Sequence, residues 1–206
     1  MFTIIFIIDY GIGNLGSIYN MLNKIGVKSQ IASSVGEIQK ADKLILPGVG
    51  SFDSGMENLK RLGFTEALEK EVIFNKKPLL GICLGMQLLG KRSEEGKLQG
   101  LGWIDFECKK FKFTDNRLKV PHMGWNKVEI VEEDGITLNM ADNMRFYFVH
   151  SYYAECANSK NILMQAEYGA KFTCAVKKDN ILGVQFHPEK SHKYGMLLLK
   201  NFVENY

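Results

Sequence analysis

The strongest constraint on the fold is an alternation, in the first half of the chain, of short β-branched runs with longer amphipathic segments. This pattern predicts strands over residues 3–8, 29–32, 43–46 and 78–82. It predicts helices between and after them, over residues 17–25, 35–40, 53–61 and 65–75. Strands separated by helices need crossover connections, which produce a largely parallel sheet covered on both faces. We therefore expect an α/β fold with a central, mostly parallel sheet flanked by helices.

After about residue 100 the pattern changes to strand-like runs joined by short polar turns. Strands are predicted over residues 106–113, 127–131, 145–149, 163–167, 173–177 and 181–186. Asp179 and Asn180 form the predicted hairpin turn between the last two, and an amphipathic helix is predicted over residues 194–204. No linker, repeat or low-complexity segment divides the 206 residues. We expect a single domain, 1–206, whose second half contains antiparallel strands.

Composition and charge argue against several classes of protein. A formal charge of +3 is too small to indicate a nucleic-acid or anionic-membrane ligand. No apolar run reaches the about 20 residues that span a bilayer, and the apolar start followed by Asp9 predicts a buried strand instead of a signal peptide. The four cysteines are scattered, so reduced thiols in the cytoplasm are expected. No metal-ligand spacing is present, and no cofactor is expected.

The segment 78–87 contains the clearest candidate for a nucleophile. A buried strand leads into Gly81-Ile-Cys83-Leu-Gly85, and a helical run follows. Glycines two residues on either side permit a sharp turn from strand to helix, which holds Cys83 in a strained conformation at the helix N-terminus. The helix dipole favours a thiolate at that position. The alternative is a small buried cysteine in a glycine-rich packing site.

A candidate base and its orienting group follow near the end of the chain. The strand 181–186 stops at His187-Pro188-Glu189. Proline keeps the preceding residue extended, and residues two apart in an extended chain point the same way, so Glu189 can reach the ring of His187. A carboxylate on one imidazole nitrogen fixes the tautomer and leaves the other nitrogen for the thiol. Alternatively, His187 ends a strand and Glu189 is solvated. The remaining histidines, at positions 122, 150 and 192, lack such an arrangement.

Residues 47–50, Pro-Gly-Val-Gly, form a glycine-rich loop at the carboxyl end of a predicted strand. This edge of a parallel sheet is where ligands bind, and backbone N–H groups there can stabilise the oxyanion of acyl transfer. The N–H group of Leu84, next to the nucleophile, is a natural second donor. By itself such a loop is more often just a tight turn. The glycines at 11, 13 and 16 resemble a dinucleotide fingerprint, but their spacing is wrong for one.

These three segments together resemble the class I (triad) glutamine amidotransferases, in the order that the family has them. The resemblance implies a flavodoxin-like fold and a catalytic triad of Cys83, His187 and Glu189. It implies that the oxyanion is bound by the backbone N–H groups of Val49 and Leu84. It places the L-glutamine pocket at Gly48, Gly50, Gln87, Glu95, Ser151 and Tyr152, with Glu95 facing the substrate's ammonium group.

Further runs narrow the resemblance, above all Pro-His-Met-Gly-Trp-Asn at residues 121–126. They are similar to glutaminase subunits of histidine biosynthesis, which supply ammonia through an internal tunnel to a cyclase or synthase subunit in a heterodimer. The partner interface then falls on Asn14, Met123, Trp125, Tyr147 and Lys190. Without the resemblance, the Met, Trp and Tyr side chains indicate ordinary core packing, whereas an exposed cluster would suit a binding surface.

Three other functions remain open at this point. One is a paralogous glutaminase that feeds another synthase, such as one making an amidino sugar, because the glutaminase does not contact the ammonia acceptor. Another is a regulatory module with a silent nucleophile, against which the intact triad residues argue. The last is a cysteine hydrolase or peptidase of the related flavodoxin-like group, although Gln87, Glu95 and the segment around Trp125 favour glutamine.

Overall fold

The first half of the chain follows the predicted alternation of strands and helices. The structure is a computed structural model that describes residues 3–114, 117–141 and 143–206. Its elements here are β1 (Ile5–Ile8), α1 (Leu15–Lys24), β2 (Ser29–Ala32), α2 (Val35–Lys40), β3 (Lys43–Gly48), α3 (Phe52–Arg61), α4 (Phe64–Leu68) and β4 (Leu79–Cys83). The predicted helix over residues 65–75 is α-helical only as far as Leu68. It continues as a π-helical turn, Glu69–Phe74, in which the Glu71 carboxylate binds Asn75 and Lys77.

The second half contains more strand than the sequence predicts. Its elements are α5 (Leu84–Leu88), β5 (Arg92–Ser93), β6 (Phe106–Lys110), β7 (His122–Ile130), β8 (Arg145–His150), β9 (Tyr152–Cys156), β10 (Ile162–Tyr168), β11 (Ala170–Lys178), β12 (Ile181–Val184) and α6 (His192–Asn205). The predicted hairpin between β11 and β12 is present. The strand predicted over residues 106–113 extends beyond the end of β6, and β7 begins five residues before its predicted start. The strands β5 and β9 were not predicted.

The twelve strands found among the described residues form one sheet, and the pairing changes from parallel to antiparallel at β12. The order is β2-β1-β3-β4-β12-β11-β10-β7-β8, with β5, β6 and β9 beside this path. Neighbours from β2 to β12 are parallel, whereas β12, β11, β10, β7 and β8 pair antiparallel. The expected α/β fold, with a parallel sheet flanked by helices and antiparallel strands in the second half, is confirmed.

Both faces of the parallel part are buried, because successive side chains of a strand point to opposite faces. Ile5 and Ile7 of β1 belong to one core cluster, which α1 and α6 cover with Leu22 and Phe202. Phe6 and Ile8 belong to the other cluster, which α2, α3 and α5 cover. In the part of the chain that the structure describes, no helix has both the length and the apolar character needed to cross a bilayer.

The carboxyl ends of β3, β4 and β12 lie at the same edge of the sheet. Gly48 at the end of β3 pairs with Cys83 at the end of β4, and Val184 at the end of β12 pairs with Ile82. Because the three strands are parallel neighbours, the loops that follow them meet above this edge. The predicted oxyanion loop, nucleophile and base are therefore brought together, although they lie far apart in sequence.

Candidate active site

Cys83 lies at the junction of β4 and α5, with a backbone φ of 55°. Non-glycine residues seldom adopt a positive φ, so the surrounding packing must hold this turn. The packing leaves no room for larger neighbours: a Cβ on Gly81 would lie 2.8 Å from the Gly85 oxygen, and one on Gly85 would lie 1.8 Å from the Leu46 oxygen. The two flanking glycines thus allow α5 to approach β3 and β4, which places the Cys83 sulfur at the start of the helix.

His187 follows β12 and is fixed on three sides. Its Nδ1 lies 2.8 Å from Oε1 of Glu189, and both side chains are almost fully buried. The His187 N–H donates to the Tyr147 carbonyl at 2.9 Å, and the Ser191 hydroxyl donates to the His187 carbonyl. A carboxylate on Nδ1 keeps the proton there in the neutral ring, so Nε2 is the atom available to exchange a proton with the nucleophile.

The electrostatics of this pair favour a charged imidazole. Burial by itself lowers the pKa of His187, but the interactions with Cys83 and then with Glu189 outweigh it and raise the pKa to about 10. Nε2 has no hydrogen bond of regular geometry in this arrangement. We therefore attribute the effect of Cys83 to attraction between neighbouring charges more than to a directed hydrogen bond. The protonated form of the His187 ring is therefore favoured at neutral pH.

A cavity of about 300 Å³ opens directly above the sulfur. Nine residues predicted from the sequence line it: Val49, Gly50, Cys83, Leu84, Gln87, Glu95, Ser151, Tyr152 and His187. Two others support it from outside. Glu189 lies behind the ring of His187, and Gly48 lies buried beneath the loop. The structure therefore gathers the proposed triad, oxyanion loop and glutamine pocket around one cavity.

The predicted oxyanion loop, residues 47–50, packs closely against the turn at Cys83. A Cβ on Gly48 would lie 2.4 Å from the Tyr10 hydroxyl and 2.9 Å from the Leu84 Cβ, so only glycine fits there. Gly50 has a φ of 112°, which other residues rarely adopt. Leu84 is the first residue of α5, and the first N–H groups of a helix have no partner within it. The Leu84 N–H group therefore has no partner within α5, and Leu84 and Val49 both line the cavity.

Glu95 belongs to a loop that is tied to the start of α3. The Phe52 N–H donates to Glu95 Oε2 at 2.8 Å. The carboxylate of Asp53 accepts hydrogen bonds from the N–H groups of Lys97 and Leu98, each at 3.0 Å. These bonds hold the loop against the cavity, where the negative charge of Glu95 can attract an ammonium group.

Sequence reasoning missed Gln185, which is fully buried and directly follows β12. Its Nε2 lies 3.7 Å from the Cys83 sulfur, and its Oε1 accepts a hydrogen bond from Gln87 at 2.9 Å. The spacing could have revealed it, because Gln185 precedes His187 by two residues and extended residues two apart share a face.

Sequence reasoning also missed a buried pair formed by His122 and His150. His122 Nδ1 lies 2.9 Å from His150 Nε2, and His150 Nδ1 lies 2.7 Å from the Tyr152 carbonyl. Burial lowers the pKa of His122 to about 4 and that of His150 to about 3, so both rings are neutral at neutral pH. The two histidines lie opposite each other because β7 pairs with β8. This pairing cannot be predicted from one sequence.

Four of the five residues predicted for the partner interface lie in a patch of exposed and half-buried side chains beside the site. Met123 and Trp125 of β7 are 61% and 46% exposed, so their alternative assignment to the core is wrong. Tyr147 of β8 pairs with Trp125, and Lys190 Nζ lies 5.7 Å from the Tyr147 ring. His192 stacks on Trp125 at 5.5 Å, which extends the patch. Asn14 lies half-buried just before α1, at the carboxyl edge of the parallel sheet.

Within residues 3–114, 117–141 and 143–206, no group of three or more His, Cys, Asp or Glu side chains could hold a metal ion.

Comparison with known proteins identifies the family. The family model described as "Glutamine amidotransferase class-I" matches residues 6–206. The chain belongs to the class-I glutamine amidotransferases. The family resemblance and the enzyme class predicted from the sequence are thereby confirmed.

Curated relatives of this amidotransferase match it over nearly their whole length. One is 59% identical over 96% of the chain and 98% of the relative, and is named imidazole glycerol phosphate synthase subunit HisH 2 of Methanococcus maripaludis. Another, subunit HisH of the same synthase from Leptospira interrogans, is 47% identical over the same shares.

Solved structures support the fold of the amidotransferase independently of these names. A crystal structure described as a glutamine amidotransferase superposes with a TM-score of 0.76 at 17% identity and covers 97% of each chain. The structure of PurLQS from Thermotoga maritima gives 0.76 at 16% identity and covers 98% of each chain.

Proposed function

We propose that this amidotransferase is the glutaminase subunit of imidazole glycerol phosphate synthase. It hydrolyses L-glutamine and passes the ammonia to a cyclase subunit in histidine biosynthesis. The names of relatives at 47–59% identity support the pathway. The observation that carries the chemistry is the placement of the Cys83 sulfur, His187 and the buried Glu189 carboxylate around one cavity at the carboxyl edge of the sheet.

In the first half-reaction the Cys83 thiolate attacks the side-chain amide carbon of glutamine. A carbon–sulfur bond forms, and the negative charge that develops on the amide oxygen is stabilised by the N–H groups of Val49 and Leu84. His187 then donates its Nε2 proton to the amide nitrogen as the carbon–nitrogen bond breaks. Ammonia leaves, and a glutamyl thioester remains on Cys83.

In the second half-reaction water replaces the thiolate. His187 Nε2, now unprotonated, takes a proton from a water molecule whose oxygen bonds to the thioester carbon. When the carbon–sulfur bond breaks, the thiolate returns and glutamate leaves, so the ion pair of Cys83 and His187 is restored. Glu189 keeps Nδ1 protonated throughout and stabilises the imidazolium each time it forms.

The pocket accounts for recognition of an amino acid. Glu95 supplies a negative charge for the α-ammonium group, and Gln87, Ser151 and Tyr152 line the cavity that the side chain enters. A cavity of about 300 Å³ is at the small end of the range for ligand pockets, which suits a single amino acid.

The exposed patch of Met123, Trp125, Tyr147 and Lys190 is the proposed docking surface for the cyclase subunit. Exposed aromatic and methionine side chains are typical of protein interfaces. Met123 pairs with Val149, which lines the cavity, so the patch adjoins the place where ammonia would be released. We also place the protein in the cytoplasm, where its four free thiols would stay reduced.

The first test measures glutamate release from glutamine by the chain alone and with the cyclase subunit and its ligand. Cys83→Ala serves as the blank. We expect strong stimulation by the partner that disappears in the blank. Glutamate release without stimulation would overturn the assignment to this synthase and point to a paralogue that feeds another one.

The second test measures binding to the cyclase subunit by titration. Trp125→Ala should weaken binding at least 10-fold, since buried Trp side chains are frequent hot spots of interfaces. The matched control is Phe74→Ala, because Phe74 is 75% exposed but precedes β4 at the opposite edge of the sheet. Equal affinities of both variants and wild type would remove the patch from the interface.

A further inference from the structure

The buried amide of Gln185 has no assigned role in the mechanism above, yet it contacts the nucleophile. Its Nε2 lies 3.7 Å from the Cys83 sulfur, within the range of an N–H···S hydrogen bond. Gln185 is completely inaccessible to solvent, so no water competes for this contact. A neutral amide donor beside a sulfur stabilises the thiolate and not the thiol, since only the anion is a strong acceptor.

The orientation of the Gln185 amide is set by the Tyr152 carbonyl through the Gln87 side chain, which hydrogen-bonds to both. The Tyr152 oxygen is only an acceptor, and it receives hydrogen bonds from His150 Nδ1 at 2.7 Å and from Gln87 Nε2 at 3.4 Å. The Gln87 NH₂ group must therefore point toward Tyr152. The same NH₂ group donates to Gln185 Oε1 at 2.9 Å. Because the oxygen of Gln185 is held there, its NH₂ group faces Cys83.

The neutral histidine pair supplies the second hydrogen bond to the Tyr152 carbonyl. With its Nδ1 proton on the Tyr152 carbonyl, His150 must accept at Nε2, so His122 donates from Nδ1. His122 Nε2 then accepts from the Asn126 amide at 3.3 Å. Each hydrogen bond in this connected series thus has one possible direction. Reversing the Gln87 amide would place its oxygen against the Tyr152 oxygen.

We propose that Gln185 is a further catalytic residue, which donates an N–H hydrogen bond to the Cys83 thiolate, and that Gln87 is the positioning residue that orients it. Gln185 stabilises the anion in the free enzyme and again when the thiolate is expelled from the thioester. The inference rests on the proposed function only in taking Cys83 as the nucleophile.

The test is the rate at which iodoacetamide alkylates Cys83 in the full-length chain at pH 7, without glutamine. Gln185→Met keeps the length and volume of the side chain and removes the donor. We expect alkylation of Cys83 to slow about 10-fold, which corresponds to about 1.4 kcal/mol. Gln87→Met should slow it less, because the amide of Gln185 is still present but free to turn. Wild-type rates in Gln185→Met would overturn the proposal.

A matched control separates a direct effect from loosened packing. Thr173→Val also removes a buried polar group, from the neighbouring strand β11, but the Thr173 hydroxyl interacts with Cys156 and not with the nucleophile. In Thr173→Val, iodoacetamide should alkylate Cys83 at the wild-type rate. An equal slowing in Thr173→Val would assign the effect to packing and overturn the proposal.

A second measurement covers the case in which Gln185→Met does not fold. In ¹⁵N-labelled protein, the side-chain NH₂ resonances of Gln185 should shift when Cys83 is changed to Ala, because the sulfur acceptor is lost. Unchanged resonances would show that no N–H···S bond exists. Neither measurement involves glutamine, so both stand whatever the glutamate-release assay gives. If that assay failed, Cys83 could still show the predicted reactivity.

Discussion

The charge on Glu189 is expected to control the rate of hydrolysis more than the stability of the fold. Glu189→Gln keeps the shape of the side chain and allows an amide oxygen to accept the His187 Nδ1 proton at the same 2.8 Å. A hydrogen bond to a charged partner contributes about 1.5–3 kcal/mol and one between neutral partners about 0.5–1.5 kcal/mol. The variant thus loses about 1–2 kcal/mol of imidazolium stabilisation, which predicts a kcat lower by about 5- to 30-fold.

Two further consequences follow from the same contact. The negative charge of Glu189 favours the protonated ring, so removing it must lower the pKa of His187. The carboxylate is buried, and its Oε2 has no hydrogen-bond partner, so the neutral amide has a smaller desolvation cost. The melting temperature of Glu189→Gln should therefore be no lower than that of wild type.

The assay is glutamate release at saturating glutamine with the cyclase subunit present, together with NMR titration of the His187 ring. Glu204→Gln is the control, because Glu204 is an exposed carboxylate on α6 whose ion pair is with the equally exposed Lys200. A Glu189→Gln variant with the kcat of wild type and an unshifted His187 titration would refute the role of the carboxylate. A large loss of stability instead would show that Glu189 serves the fold.

Three other substitutions test separate parts of the structure. The pKa of His122 is lowered in the folded chain, so the stability that its neutral ring contributes is complete above about pH 6.5 and is lost as the pH falls toward about 4, at up to about 1.4 kcal/mol per pH unit. In urea titrations, the free energy of unfolding of His122→Gln should decline less steeply over that range. A substitution of the exposed His192, His192→Gln, should match wild type. Gly85→Ala should abolish folding or cost more than about 3 kcal/mol, because its Cβ would overlap a backbone oxygen, while Gly16→Ala, with open space around it, should not destabilise α1 in thermal melts. Asp53→Ala should raise the KM for glutamine by about 10-fold with little change in kcat, because the loop that carries Glu95 loses its anchoring hydrogen bonds. A lower kcat at an unchanged KM would contradict this explanation.

Much of the candidate site could be predicted because its chemistry is encoded in short local patterns. The glycines around Cys83 indicate a sharp turn whether or not the rest of the fold is known, and the structure places that turn between β4 and α5. Likewise, the proline in His187-Pro188-Glu189 restricts the backbone, and the imidazole and carboxylate meet at 2.8 Å. Each pattern involves residues within a few positions of one another, so one sequence suffices.

What could not be predicted depends on contacts between distant segments. His122 and His150 become partners only through the register of β7 with β8, and Gln185 meets Gln87 only through the pairing of β12 with β4. The strand β9 lacked an apolar alternation, because it carries the half-buried Tyr152 and Tyr153 and the exposed Glu155. Hydrophobic periodicity detects strands that have one buried and one exposed face, which β9 lacks. Its strand conformation depends largely on pairing with β6 and β11.

The parallel pairing of β4 with β12 also has a consequence for the order in which the enzyme is made. Gln185 and Cys83 are 102 positions apart, and His187 follows Gln185 by two residues. Chains are synthesised from the N-terminus, and long-range strand pairing forms late in folding. A growing chain therefore carries the proposed nucleophile, Cys83, on β4 before its neighbour β12 has been translated. Without the imidazole of His187 and the carboxylate of Glu189, the Cys83 thiol of an unfinished chain lacks the partners that the proposed mechanism requires. We therefore expect glutamine hydrolysis only after β12 has paired with β4.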